Sequence, residues 1–131
     1  PCLITTIDSI YQPGKLRELM QAAQQHPRGS MTLGVTSFID DEKPLYVELD
    51  SNGEILSLGR QKSKYVTNGA YWIPATPSHQ ASKFSALRHY LKDMIDEGTP
   101  AYGFDMGKSI DIDHPKDIDV AELFLSKPLE T

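Results

Sequence analysis

The run Cys2-Leu-Ile-Thr-Thr-Ile-Asp8 is β-branched and apolar over the length of a strand, and it ends in an acid. A strand without polar alternation is expected to be buried on both faces, as in a parallel sheet covered by helices. Such a strand is normally interior to its sheet, with neighbours on both edges. The rest of the chain must therefore supply further strands and covering helices. An edge position would instead leave an unpaired apolar strand that invites association, and a homo-oligomer with it.

The remaining segments meet that demand in order. Pro13 and Gly14 open a helix that runs to about His26, with Leu16, Leu19, Met20 and Ala23 as its apolar stripe. Met31 to Phe38 reads as a second strand. Leu45 to Leu49 and Ile55 to Leu58 form a hairpin through Asp50-Ser-Asn-Gly53, because Asn-Gly supplies positive φ at low cost. Tyr65 to Ile73 is another strand, with Gly69 inside it, and a strand glycine often marks close approach of a ligand or another backbone. The loop from Pro74 to Gln80 leads to a helix from about Ala81 to Glu97, whose apolar face is Phe84, Leu87, Leu91, Met94 and Ile95. Gly98 and Pro100 end it. Ala101 to Phe104 is a short strand. The order is α/β with a mixed sheet and flanking helices, in one domain spanning residues 1–131.

The last stretch is the richest in chemistry. Ser109 to Ile112 reads as a strand that runs straight into a helix beginning at Pro115, a residue favoured at the first helical position. Asp117 complements the positive end of that helix, and Ile118, Ala121 and Leu125 share one face. Asp111 and Asp113, two apart in an extended segment, point the same way. An acid before a helix commonly caps it, and alternating acids commonly face solvent. Two carboxylates at the end of a strand also form an oxygen-rich site suited to Mg²⁺.

Composition narrows the function. With 131 residues the chain can bury one core, and a net charge of −5 argues against nucleic acid as a main partner. No apolar run approaches a membrane span and no signal peptide is visible, so no membrane partner is expected. The single cysteine, Cys2, rules out an internal disulfide and fits a reducing cytoplasm.

Four segments, in this order, resemble the nucleotidyltransferases that join a nucleotide to a sugar phosphate. Leu3 to Asp8 is similar to that family's apolar strand ending in a metal-binding acid. Tyr46 to Leu58 resembles its Asp-x-x-Gly hairpin, and Thr67-Asn-Gly-Ala-Tyr71 its strand beside the sugar. Asp111-Ile-Asp-His-Pro-Lys-Asp-Ile118 resembles the segment whose acids complete the metal site. The resemblance implies a Rossmann-like fold shared with GT-A glycosyltransferases. It also implies Mg²⁺ held by Asp8, Asp111 and Asp113, with Asp8 and Asp111 catalytic. Asn68, Gly69 and Lys62 would bind substrate, and the substrates would be a nucleoside triphosphate and a sugar phosphate. The family's Gly-rich nucleotide-binding loop belongs upstream of Asp8, so the chain is expected to correspond to the C-terminal part of such an enzyme and to be inactive alone. Thr67 stands where the family usually has Asn, and Lys62 falls one residue from the family's lysine.

Two other readings compete. A non-catalytic sugar- or nucleotide-binding regulatory module would keep the fold without the chemistry. A small enzyme with a catalytic Pro1, like the tautomerases, matches only the first strand and helix and leaves everything after residue 40 unexplained.

Overall fold

The structure is a computed structural model and describes residues 1–6, 9–39, 44–74, 84–112 and 114–126. Its strands are β1 (Cys2–Thr5), β2 (Ser9–Tyr11), β3 (Met31–Thr36), β4 (Tyr46–Leu49), β5 (Ile55–Leu58), β6 (Tyr65–Ile73), β7 (Ala101–Asp105) and β8 (Ser109–Asp111). Its helices are α1 (Lys15–Gln25), α2 (Phe84–Asp96) and α3 (Lys116–Ser126). The strands form a mixed sheet in the order β5-β4-β6-β3-β7, with β1 also paired to β6, and a small second sheet of β2 and β8.

β6 is the spine. β3 runs antiparallel along one edge of it, and β7 lies parallel to β3. The opposite edge is shared: β4 pairs with Tyr65 and Val66, and β1 pairs with the stretch from Ala70 to Ile73. β1 and β4 therefore follow one another along the same edge, with a split between them at Asn68.

That arrangement corrects the expectation for the first strand. Among the described residues β1 has a single neighbour, β6, and its side chains are half-buried or exposed. The apolar run is an edge strand. Its continuity misled because a strand packed on one edge of β6 contributes to both faces of the sheet without being enclosed: Cys2 and Ile4 pack on one core and Leu3 on the other.

The core has two layers. On one face, Met31, Leu33 and Val35 of β3 and Tyr71 and Ile73 of β6 pack with Leu87 and Leu91 of α2. Residues three and four apart on α2 place that stripe against the sheet, and Met94 and Ile95 extend it. On the other face, Leu19 of α1 meets Ala70 and Met106, with Leu16, Tyr11, Trp72 and Phe104 at the margin. The hairpin forms as its sequence demands. Asp50 Oδ1 accepts from the N–H groups of Asn52 and Glu54 at 2.8 and 2.9 Å, and Gly53 takes φ of 82°. The Gly103 N–H then donates to the Gly53 carbonyl at 2.8 Å, docking the turn on β7.

α3 departs from expectation. Of its expected apolar face only Ala121 is buried, while Ile118 and Leu125 stay 48% and 46% exposed. At its N-terminus the Asp117 side chain, in the first turn, reaches back to accept from the His114 N–H at 2.9 Å, while the expected capping acid Asp113 lies outside the described residues. No helix among the described residues is long and apolar enough to cross a membrane.

Candidate active site

β1, β3 and β7 are mutually parallel, so their carboxyl ends point in one direction. In open α/β sheets that is the end where ligands bind. The segments leaving β1 and β7 there meet each other in the small second sheet, whose register sets Ser9 opposite Asp111. Sequence reasoning missed β2, a three-residue strand whose only signal is its pairing with a partner about a hundred positions away.

The pairing builds a chain of oxygens. Thr6 Oγ1 lies 2.7 Å from Ser9 Oγ, and the Ser9 hydroxyl donates to Asp111 Oδ1 at 2.9 Å. Asp111 itself is exposed at the end of β8. Tyr11, two residues along β2, reaches back to β6 and donates its hydroxyl to the Asn68 carbonyl at 3.0 Å. Burial pushes the Tyr11 phenol up from its ordinary value, against the pull of the neighbouring Thr6 and Ser9 hydroxyls, and the negative charge of Asp111 adds to the rise. Tyr11 is therefore a neutral donor at physiological pH.

At Asn68 the β3–β6 register jumps. Leu33 faces Tyr71, yet Val35 faces Thr67, so Asn68, Gly69 and Ala70 bulge opposite Gly34 alone. A bulge bends its strand and re-aims its side chains. Gly69 makes this one possible with φ of 90°, a conformation that strains any residue with a Cβ. A Cβ there would also lie 2.5 Å from Thr6 Oγ1 and 3.2 Å from the Tyr11 hydroxyl. The close approach expected at Gly69 is thus to Thr6, whose N–H donates to the Gly69 carbonyl at 3.0 Å.

The expected site residues fall into three groups. Asp111, Asn68 and Gly69 surround the meeting of β1, β2, β6 and β8. Asp8 and Asp113 lie outside the described residues, although the first adjoins Ser9 in sequence and the second follows the strand that ends at Asp111. Lys62 is exposed in the loop between β5 and β6, at the end of the sheet where β3 finishes, and no described contact joins it to Asp111. Thr6, Ser9 and Tyr11 belong to the constellation and were not singled out from sequence. A run of hydroxyl residues around the first acid was the available signal.

The donors present are a carboxylate and two hydroxyls, the hard oxygen chemistry that Mg²⁺ takes. Among the described residues no three His, Cys, Asp or Glu side chains gather into a cluster, so the described part supplies one carboxylate of such a site. A shallow depression of about 450 Å³ lies elsewhere, over the β4–β5 hairpin, lined by Glu48, Asp50, Ser63 and Lys64 among others, and it includes none of these residues.

No protein-family model and no curated protein matches the sequence. Solved structures do. The inositol-1-phosphate CTP transferase from T. maritima superposes with a TM-score of 0.66 at 26% identity, covering 92% of this chain and 53% of that one. A CMP:2-keto-3-deoxy-manno-octonic acid synthetase complexed with CTP superposes with a TM-score of 0.57 at 14% identity, a likeness of fold, over 86% of this chain and 56% of that one. The chain thus spans about half the length of each. Its mixed sheet with helices on both faces is the α/β fold of these nucleotidyltransferase structures.

Proposed function

We propose that this chain is the acceptor-side, C-terminal part of an enzyme that transfers a cytidylyl group from CTP to a polyol or sugar phosphate. The observation that carries the reading is the register of Ser9 with Asp111 at the carboxyl end of the sheet. It joins the two segments whose acids the chemistry needs, in a fold superposable on an inositol-1-phosphate CTP transferase.

In this reading Asp8, Asp111 and Asp113 hold Mg²⁺, which when bound neutralises charge on the nucleotide phosphates. The Ser9 hydroxyl orients the Asp111 carboxylate, and Thr6 in turn orients Ser9. Lys62 meets the phosphate of the acceptor, while Asn68 and Gly69 line the space for its hydroxyl-bearing ring. An acceptor phosphate oxygen attacks the α-phosphorus of CTP in line. The new P–O bond forms as the bond to the bridging oxygen breaks, and pyrophosphate leaves. Catalysis of this kind is almost entirely positioning and charge stabilisation. The backbone cradle for the triphosphate would come from a segment outside this chain, pairing with the edge of β1 that no described residue occupies.

The test is titration calorimetry of this chain with inositol 1-phosphate and with CTP, each with and without Mg²⁺. The expected result is Mg²⁺-dependent binding that Asp111→Ala abolishes, with no pyrophosphate released above background when all three are mixed. Absence of inositol 1-phosphate binding overturns the reading. Turnover by the chain alone overturns the division of labour.

A further inference from the structure

Among the described residues, the two-stranded sheet that carries Asp111 is fastened to the main sheet at one place. Three residues a side are too few for such a ribbon to hold its own position in water. Its ladder is separate from that of the main sheet, so side chains and flanking backbone must fix it there. Two consecutive carbonyls of the β6 bulge provide the anchor. The Thr6 N–H, just after β1, donates to the Gly69 carbonyl at 3.0 Å, and the Tyr11 hydroxyl, at the end of β2, donates to the Asn68 carbonyl at 3.0 Å. Residues 6 and 11 thus straddle the bulge, with Asp8 between them in sequence. Gly69 admits both, since a Cβ there would stand 2.5 Å from Thr6 Oγ1 and 3.2 Å from the Tyr11 hydroxyl.

We propose that Tyr11 is a positioning residue: its hydroxyl holds the acid-bearing ribbon of β2 and β8 against the bulge of β6, so that Mg²⁺ bound at the acids is felt at the bulge. The inference rests on the function proposed above and assigns Tyr11 no contact with substrate. The path from acid to sheet is continuous. Ser9 gives its one hydroxyl proton to Asp111 Oδ1, so in the 2.7 Å contact between Thr6 and Ser9 it is Thr6 that donates. The Asp111 carboxylate is therefore held by a segment whose two ends are both pinned to β6. The Tyr11 ring packs against the cluster of Leu19, Ala70 and Met106, which aims its hydroxyl at the bulge. Asn68 has no partner in the β3 register, which jumps at that point, so its carbonyl is free of the ladder and takes the phenol. A site whose competent arrangement is populated only part of the time binds more weakly by that fraction. The coupling is reciprocal: what the tether does for the metal, the metal does for the tether.

Two variants separate positioning from plain stability. Tyr11→Phe keeps the ring in its cluster and removes only the hydroxyl, whereas Leu16→Ala thins the same cluster and leaves the hydroxyl in place. Both are expected to lower the melting temperature, by about 2–6 °C. Only Tyr11→Phe is expected to weaken Mg²⁺, by about two- to tenfold, in a titration of the intact chain followed through the Ile10 and Ile110 amides. Saturating Mg²⁺ should also slow hydrogen exchange at residues 68–70 in the natural chain, an effect that Tyr11→Phe should lose. Unchanged Mg²⁺ affinity in Tyr11→Phe overturns the inference and leaves the proposed function standing. Equal weakening in Leu16→Ala overturns it as well, because general loosening would then account for the loss. So does exchange at the bulge that ignores bound Mg²⁺ in the natural chain. If the natural chain does not respond to Mg²⁺ at all, the metal site of the proposed function fails and takes this inference with it.

Discussion

The two faces of the central sheet are built to different ends. On the α2 side, residues from β3, β5, β6 and α2 close into a continuous apolar layer in which Leu33, Leu58, Ile73 and Leu91 are fully shielded. On the α1 side the buried apolar cluster is small, Leu19, Ala70 and Met106, and polar groups share the layer. Thr32 is fully buried beneath His26, Tyr11 is half-buried, and the Asn68 amide has no hydrogen-bond partner among the described residues. Large apolar layers stabilise, and unmet polar groups do the reverse. The contrast teaches where function can sit in a small fold: one face supplies the stability that lets the other keep buried polar groups.

The largest effect should come from thinning the stabilising face. Leu91→Ala is expected to cost about 2–5 kcal/mol, measured by urea unfolding followed through Trp72 fluorescence. Leu19→Ala, on the other face, should fall at the low end of that range because fewer apolar groups surround it. Equal losses would break the comparison. Next comes Gly69→Ala, expected to cost about 1–3 kcal/mol for the strained backbone, with the added displacement of Thr6. If its unfolding free energy matched the natural chain's, the bulge would not be held as described.

Smaller still is Ser9→Ala. It removes the link between β2 and Asp111 in a solvent-accessible setting, so its stability loss should be at or below about 1 kcal/mol. The two-stranded sheet should nonetheless loosen, read as faster amide exchange at Ile10 and Ile110, which face each other. Protection unchanged by the substitution would show that backbone pairing alone holds the sheet.

The finest test is pH. His26 stacks on Tyr102 with ring centroids 4.0 Å apart and shares a hydrogen bond with Thr32, and burial lowers its pKa from the ordinary value of 6.5. Below pH 6.5 the unfolded chain therefore binds the proton more readily than the folded one. Stability is expected to fall as pH drops from about 6.5 through the lower folded value. A melting-temperature profile across that window should flatten in His26→Gln. At the other extreme, burial raises the pKa of Tyr11 and Tyr71, so stability is also expected to fall as pH rises above 10.

What the sequence disclosed follows the same division. The α2 face was legible because Leu87, Leu91, Met94 and Ile95 repeat with helical spacing, and the hairpin because Asp50 and Gly53 carry its geometry locally. The position of β1 was not legible. Apolar residues facing both layers look the same whether a strand has one neighbour or two. α3 misled for a related reason, since a shared face records which side chains align and not what lies opposite them. Around the candidate site, Asp111 and Gly69 stood out as single residues. The oxygen chain through Thr6 and Ser9, and the bulge that places Asn68 over Gly34, depend on pairings between distant segments, and no local pattern encodes those.

The one-sided attachment of β1 also bears on timing. Its residues 2–5 pair with residues 70–73, whereas β4 finds β5 across a short turn. Contacts between remote segments carry the larger loop-closure cost and form late, once β6 is already seated between β3 and β4. Held by one ladder of hydrogen bonds among the described residues, β1 also belongs to the less protected part of the sheet. By the same loop-closure measure the β2–β8 pairing, which joins segments about a hundred residues apart, closes later still. Because Thr6 and Ser9 follow β1 directly, the oxygen chain at Asp111 is completed only after β1 has docked and β2 has met β8.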